Sequence, residues 1–229
     1  RVARQTQHSS QPSCVPRGAT SRLCHQWLGL LIASPSQEKP IAPTPRTLEV
    51  QPDKLSNLVA DFDQLEEAVR SSGIKVDEAY CALGTTIKKA GSKEAFRKVD
   101  FDYETAFARA AQAAGATKFA LVSAVGADAH SPIFYSRVKG ETEQAVRDMG
   151  FASCHIFQPG VLLGDRAESR PGEQLAVALT PLLNLGLQGP LKKYRGIEAK
   201  TVAEAMVAAL VSDSPSAIHQ YKGMIKARG

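Results

Sequence analysis

Tyr135 and Lys139, in Tyr135-Ser136-Arg137-Val138-Lys139, stand four residues apart. On a helix that spacing puts both side chains on one face, one turn from each other. An ammonium beside a phenol favours the phenolate and lowers its pKa. A tyrosine tuned in this way is a usable acid and base near neutral pH. The same spacing also fits a solvated lysine above a half-buried tyrosine. Ser123 closes a strongly apolar run twelve residues before Tyr135. A hydroxyl there would hydrogen-bond a substrate carbonyl while Tyr135 donates a proton. The expected catalytic set is therefore Ser123 as polariser, Tyr135 as acid/base and Lys139 as the cation that tunes it.

Such a set needs rigid elements to hold it. Short apolar runs predict strands at 39–43, 57–60, 78–83, 118–125 and 153–157, and helical spacing predicts helices at 62–71, 93–114, 134–149 and 201–211. The helix at 93–114 carries Ala95, Phe96, Val99, Tyr103, Ala106, Phe107, Ala110 and Ala114 as an apolar stripe and meets a stop at Gly115. Strands alternating with helices imply βαβ units, and so an α/β fold with a doubly wound parallel sheet. An apolar strand such as Phe119-Ala120-Leu121-Val122 suits a sheet covered on both faces. Ligands of such sheets bind at the carboxyl ends of the strands.

The chain has 229 residues and a formal charge of +5. Residues 1–37 hold Arg1, Arg4, Arg17 and Arg22 and no acid, so the remainder is nearly neutral. The basic balance thus belongs to a leader, and no block of Lys and Arg with interleaved aromatics marks a nucleic-acid surface. Residues 1–16 are expected to be a disordered basic polar leader. Arg-rich, Ser-rich and acid-free, they also resemble an organelle transit peptide. The expected location is the cytoplasm, with organelle targeting by this N-terminus as the alternative. No apolar run approaches the roughly 20 residues of a membrane-spanning helix. Cys14, Cys24, Cys81 and Cys154 form no Cys-x-x-Cys, so no metal site is expected. Cys81 and Cys154 lie inside apolar runs and read as buried reduced thiols.

Several segments carry a family resemblance: Cys81-Ala82-Leu83-Gly84-Thr85-Thr86, Val99-Asp100-Phe101-Asp102-Tyr103, Gly126-Ala127-Asp128, Tyr135 through Gly140-Glu141, and Pro159-Gly160-Val161-Leu162-Leu163-Gly164-Asp165-Arg166. Together they resemble the Tat-interactive-protein oxidoreductase family, atypical short-chain dehydrogenases/reductases with an NAD(P)-binding Rossmann fold. The likeness runs from about residue 18 to the end and is dense from Leu55 onward. It implies one Rossmann-like domain over 17–229, with a small substrate lobe built mainly from 160–229. It also implies NADP(H) binding. Lys139 would orient the nicotinamide ribose, Leu83, Gly84 and Thr85 would line the cofactor, and Pro159 and Val161 would flank the nicotinamide. Asp61 and Phe62, after the third predicted strand, stand where related reductases contact adenine.

The phosphate-binding turn departs from the family. Where Gly-Ala-Thr-Gly-x-x-Gly is usual, the chain has Gly18-Ala19-Thr20-Ser21-Arg22-Leu23-Cys24. Gly18, Ala19 and Thr20 are expected to contact the cofactor, but Ser21 and Cys24 replace the other two glycines. Those glycines let the backbone approach the pyrophosphate and the helix pack on the strand. Pro12 and Pro16 also fall where the first, central strand should run, a place that nearly excludes proline. Arg46, after the second strand with no acid nearby, would pair with a 2′-phosphate and favour NADP(H) over NAD(H). An ordinary surface arginine fits the same position. Gln158 stands where relatives often carry Arg, and Arg166, Glu168 and Arg170 fit either an anion anchor or a surface ion-pair cluster.

The expected function is NADP(H)-dependent oxidoreduction at a carbonyl/alcohol centre of an unidentified small molecule. The expected partners are that substrate and neither nucleic acid nor membrane, and an oligomer is compatible with the sequence. The alternative is a non-catalytic dinucleotide-sensing or regulatory protein on the same scaffold, since fold does not imply function.

Overall fold

The computed structural model describes residues 12–14, 29–30, 39–48, 53–163, 188–212 and 214–227. Strands β1 (Pro12–Cys14), β2 (Ile41–Thr44), β3 (Ser56–Val59), β4 (Glu78–Cys81), β5 (Lys118–Val122) and β6 (Ser153–Phe157) belong to one sheet. Strands β7 (Leu162–Leu163) and β8 (Ile197–Glu198) pair with each other, and β9 (Ala217–His219) completes the large sheet. Its order is β3-β2-β1-β4-β5-β6-β9, and every pairing is parallel. The strand order reverses between β1 and β4, which is where a doubly wound sheet opens its ligand crevice.

Side chains alternate across the sheet because the strand period is two. Ala79, Cys81, Phe119, Leu121 and Ile156 enter one core with Phe107, Ala110 and Val146. Tyr80, Ala120, Val122 and Phe157 enter a second core with Val202, Met206 and Leu210. The first core is covered by α1 (Leu65–Ser72), by α4 (Glu104–Ala113), which the short helices α2 (Ile87–Ala90) and α3 (Lys93–Arg97) precede in the chain, and by α5 (Phe134–Asp148). The second is covered by α6 (Ala199–Val211) and α7 (Tyr221–Ala227). Both faces are thus helical, as the α/β doubly wound reading requires. Cys81 and Cys154 are buried and form no disulfide. Within 160–229, α6 lies on the sheet and β9 lengthens it, while β7 and β8 form a separate two-stranded ribbon. His155 Nδ1 and His219 Nε2, 2.8 Å apart, fasten β9 to β6.

The leader expectation is corrected at three residues. Pro12–Cys14 form β1 in the middle of the sheet, with Pro12, Ser13 and Cys14 paired to Glu78, Ala79 and Tyr80. Pro12 is the first residue of its strand, a place where a missing N–H is tolerated. The rest of 1–16, Pro16 included, lies outside the described residues, as does the turn from Gly18 to Cys24. Among the described residues, no helix is long and apolar enough to cross a membrane.

Candidate active site

The site lies past the carboxyl ends of β4, β5 and β6. Beyond their assigned ends, β5 and β6 stay paired: Ser123 N–H donates to Phe157 O at 2.7 Å and Val125 N–H to Pro159 O at 3.0 Å. This sets Ser123 beside Gln158 and Pro159. Ser123 is buried and its Oγ makes no hydrogen bond of normal geometry. The hydroxyl is still close enough to the Glu143 carboxyl to oppose the rise that burial gives Glu143. Gln158 Nε2 donates to both Glu143 oxygens at 3.0 Å, and Gln220 Nε2 donates to Gln158 Oε1 at 2.9 Å. A polar chain therefore runs from β9 through Gln158 to the back of Ser123.

Helix α5 supplies Tyr135, Lys139 and Glu143. The loop before it is pinned close: Asp128 N–H donates to Ser136 O at 3.0 Å, and Arg137 Nη1 to Ser131 O at 2.9 Å. The approach depends on Gly140, where a Cβ would lie 2.1 Å from Ala129 N. The motif glycine is thus a packing requirement of the loop against the helix. Tyr135 is half-buried and its ring lies 5.4 Å from that of Phe96.

Lys139 is buried between two carboxyls, with Nζ 2.7 Å from Asp100 Oδ1 and 2.8 Å from Glu104 Oε1. Asp100 sits in a π-helical turn, Lys98–Tyr103, that joins α3 to α4. Such turns recur at functional sites. The carbonyl of Asp100 accepts from Thr142 Oγ1 on α5 at 2.6 Å, and its Oδ2 accepts from Thr85 N–H at 2.9 Å. Gly84, after β4, adopts φ +155°, and a Cβ there would stand 3.3 Å from Asp100 Oδ1 and 3.7 Å from Lys139 Nζ.

Electrostatics corrects the expected tuning. Burial pushes the Tyr135 phenol above its ordinary pKa; Lys139 acts the other way without reversing it, and Asp100 and Glu104 add to the rise. The lysine's effect is offset because its own charge is answered by two acids. Burial by itself would lower the Lys139 pKa, but Glu104 and Asp100 more than reverse this and hold it well above its usual value. Glu104 is pushed up to about 8, first by burial and then by Asp100, despite Lys139.

The structure brings Ser123, Tyr135, Lys139, Leu83, Gly84, Thr85 and Pro159 to one end of the sheet. Leu83 and Pro159 are buried, Gly84 is exposed, and Val161 is 65% exposed with its carbonyl bonded to Ile197 N–H. Arg46 is exposed after β2, its carbonyl accepting from Thr44 Oγ1 at 2.6 Å. The Asp61 carboxylate caps the turn at Phe62–Gln64 through Asp63 N–H, and the Phe62 ring is buried against Tyr103. Phe62 therefore has only its backbone to offer a ligand. Gly18, Ala19 and Thr20, and the cluster Arg166, Glu168 and Arg170, lie outside the described residues. Glu104 and Glu143 escaped the sequence reading. For Glu104 the available signal was its place one helical turn after Asp100.

No protein-family model matches the chain. Protein HTATIP2 of Rattus norvegicus is 47% identical over 119 residues, covering 52% of this chain and 48% of its own length. The chain thus spans about half the length of that curated relative. Protein fmp52, mitochondrial, of Aspergillus niger is 34% identical over 178 residues, 76% of each chain. Protein FMP52, mitochondrial, of Candida albicans is 36% identical over 155 residues, 66% of this chain and 68% of that one. Among solved structures, UDP-glucose 4-epimerase of Thermotoga maritima superposes with a TM-score of 0.66 at 13% identity, over 92% of this chain and 76% of that one. MoeE5 in complex with UDP-glucose and NAD gives 0.63 at 14% identity, over 91% and 74%. At such identities the likeness establishes the Rossmann scaffold. The expectation of a cytoplasmic protein is corrected by the fungal relatives, which are named as mitochondrial. With the fungal match extending over three quarters of both chains, this protein belongs to the HTATIP2 and FMP52 family, the Tat-interactive-protein branch of atypical short-chain dehydrogenases/reductases.

Proposed function

We propose that the chain is a nicotinamide-dinucleotide oxidoreductase, with NADP(H) preferred, acting on a carbonyl/alcohol centre of a small molecule. The observation that carries this reading is the cluster of Ser123, Tyr135 and buried Lys139 at the carboxyl edge of a parallel sheet, beside its switch point. The residues fit such a cofactor. An ammonium has three donors; Lys139 gives one to Glu104 Oε1 and pairs in charge with Asp100, which leaves a donor for a ribose hydroxyl. Gly84 offers exposed backbone without a Cβ next to that lysine. When bound, the dinucleotide supplies the hydride exchanged with the substrate carbon. Ser123 Oγ, free of a normal hydrogen bond, would hold the substrate oxygen, and Tyr135, held as the phenol, would protonate it. The names of the fungal relatives support a mitochondrial location.

Ser21 and Cys24 in the glycine positions favour a second reading, a dinucleotide-sensing protein without turnover. Titration with NADPH and NADH, followed by nicotinamide fluorescence, tests the cofactor. Saturable binding of NADPH, weakened by Arg46→Ala while NADH is spared, is expected, because a charge-assisted bond to phosphate exceeds a neutral one. Equal losses for both dinucleotides would take the 2′-phosphate role from Arg46.

A further inference from the structure

We propose that Gln158 is a positioning residue of this site, the clasp that joins the helix carrying Tyr135 and Lys139 to the strand end carrying Ser123. The expected catalytic set comes from two elements. Ser123 follows β5 directly, whereas Tyr135 and Lys139 ride on α5. Their side chains work together only while the helix keeps its place over the strand. Glu143 follows Lys139 by four residues and Tyr135 by eight, so all three lie along one face of α5. The two Glu143 carboxyl oxygens each accept from Gln158 Nε2 at 3.0 Å, and both side chains are buried. Gln158 stands directly after β6, between the two carbonyls that hold the end of β5. Phe157 O takes the Ser123 N–H and Pro159 O takes the Val125 N–H. One residue thus grips the helix with its side chain and sits between the anchors of the strand end in its backbone.

The clasp is itself held. Gln158 N–H donates to His219 O at 2.9 Å, and Gln158 Oε1 accepts from Gln220 Nε2 at 2.9 Å. With the amide oxygen and nitrogen both engaged, the buried side chain has one orientation to offer. Other contacts of α5 point elsewhere: Lys139 binds Asp100 and Glu104, and Thr142 Oγ1 donates to Asp100 O, in the π turn and α4. Those contacts fix α5 to its helical neighbours, and Glu143 fixes it to the sheet. A buried carboxyl left without hydrogen bonds is costly, so α5 cannot drift from Gln158 freely. Displacing reacting groups by about 1 Å slows a reaction on the order of 10²-fold.

The role rests on the oxidoreductase reading for the reaction it serves, so one of its readouts is free of turnover. Gln158→Leu removes the clasp without changing charge. Gln158→Glu sets two carboxyls face to face. The double variant Gln158→Glu, Glu143→Gln exchanges amide and carboxyl, so the contact forms again in the opposite sense and Gln220 Nε2 still finds an acceptor. Rates are taken per bound NADPH, so that a smaller folded fraction does not register. Gln158→Glu should lower kcat about 10²-fold with NADPH affinity and KM little changed, and the exchange variant should recover it to within about threefold. Without turnover, the tyrosinate absorbance of Tyr135, isolated by subtracting Tyr135→Phe in each background, reads the place of the helix. Burial is the largest cause of the raised Tyr135 pKa, so the midpoint should fall in Gln158→Leu and keep its parental value in the exchange variant. The exchange variant decides where Gln158→Leu folds poorly. A parental kcat in Gln158→Glu, no recovery in the exchange variant, or an unmoved Tyr135 midpoint in Gln158→Leu overturns the proposal. Absent dinucleotide binding in the parent overturns the oxidoreductase reading by itself, and the Tyr135 midpoints still decide on the clasp.

Discussion

Lys139 is answered by Asp100 and Glu104 inside the protein, and its removal has a different consequence from the loss of a surface ion pair. Lys139→Met should cost about 3–5 kcal/mol, because the buried Asp100 carboxylate loses its counterion. Urea denaturation measures this, and the loss should shrink in an Asp100→Asn, Glu104→Gln background. A loss below about 1 kcal/mol, as for an exposed pair, would show that water reaches the cluster. Glu104 also ties stability to pH. An unfolded glutamate titrates near ~4.3, and here the folded value is about 8. The folded chain therefore holds more protons between those values, so this group's contribution is present at the acid end and lost as pH rises through about 8. The raised pKa of Lys139 contributes throughout that window and does not change the trend. Urea midpoints at pH 5 to 9 should decline more steeply in the parent than in Glu104→Gln; parallel curves would contradict the assignment. Tyr135 and Lys139 were legible from spacing. The rise in the Tyr135 pKa was not, because it depends on acids 31 and 35 residues away in sequence. Glu104 alone reads as an ordinary solvated helix residue.

Helix α5 is placed by a glycine. With a Cβ 2.1 Å from Ala129 N, Gly140→Ala must push the 126–131 loop off the helix that carries Tyr135 and Lys139. Overpacking of this kind costs about 1–3 kcal/mol, and the backbone neighbour makes the upper end the expectation. Thermal unfolding checks the stability, and hydrogen exchange at Asp128 N–H checks the loop; an unchanged exchange rate there would contradict the packing argument. Most elements were legible because apolar spacing fixes strand and helix period. Lys118–Val122 and Ser153–Phe157 fall within their expected ranges, and α6 begins two residues earlier than expected. The departures have physical reasons. The helix expected at 93–114 is interrupted by the π turn, whose wider winding leaves no mark in hydrophobic spacing. Ala217–His219 is too short, beside Pro215, to show a strand period. Pro12 argued against a central strand at the one strand position where it is tolerated.

At the scale of the molecule, the parallel order and the covered faces put every described site residue at one edge of the sheet. That arrangement was legible from alternating elements. Ser21 and Cys24 stand where a dinucleotide-binding turn carries glycines, and this departure was legible in the sequence. Family membership and fold leave the chemistry to be established on this chain's own residues. The central claim is that Tyr135 protonates a substrate oxygen while hydride arrives from a nicotinamide. NADPH carrying deuterium at C4, offered with a panel of aldehydes and ketones, reads this directly by mass spectrometry of the alcohols. The account predicts deuterium transfer by the parent chain and a drop of about 10²–10⁴-fold in Tyr135→Phe, with NADPH affinity unchanged. No transfer to any member of the panel, or a Tyr135→Phe rate within about a factor of two of the parent's against that expectation, would contradict it.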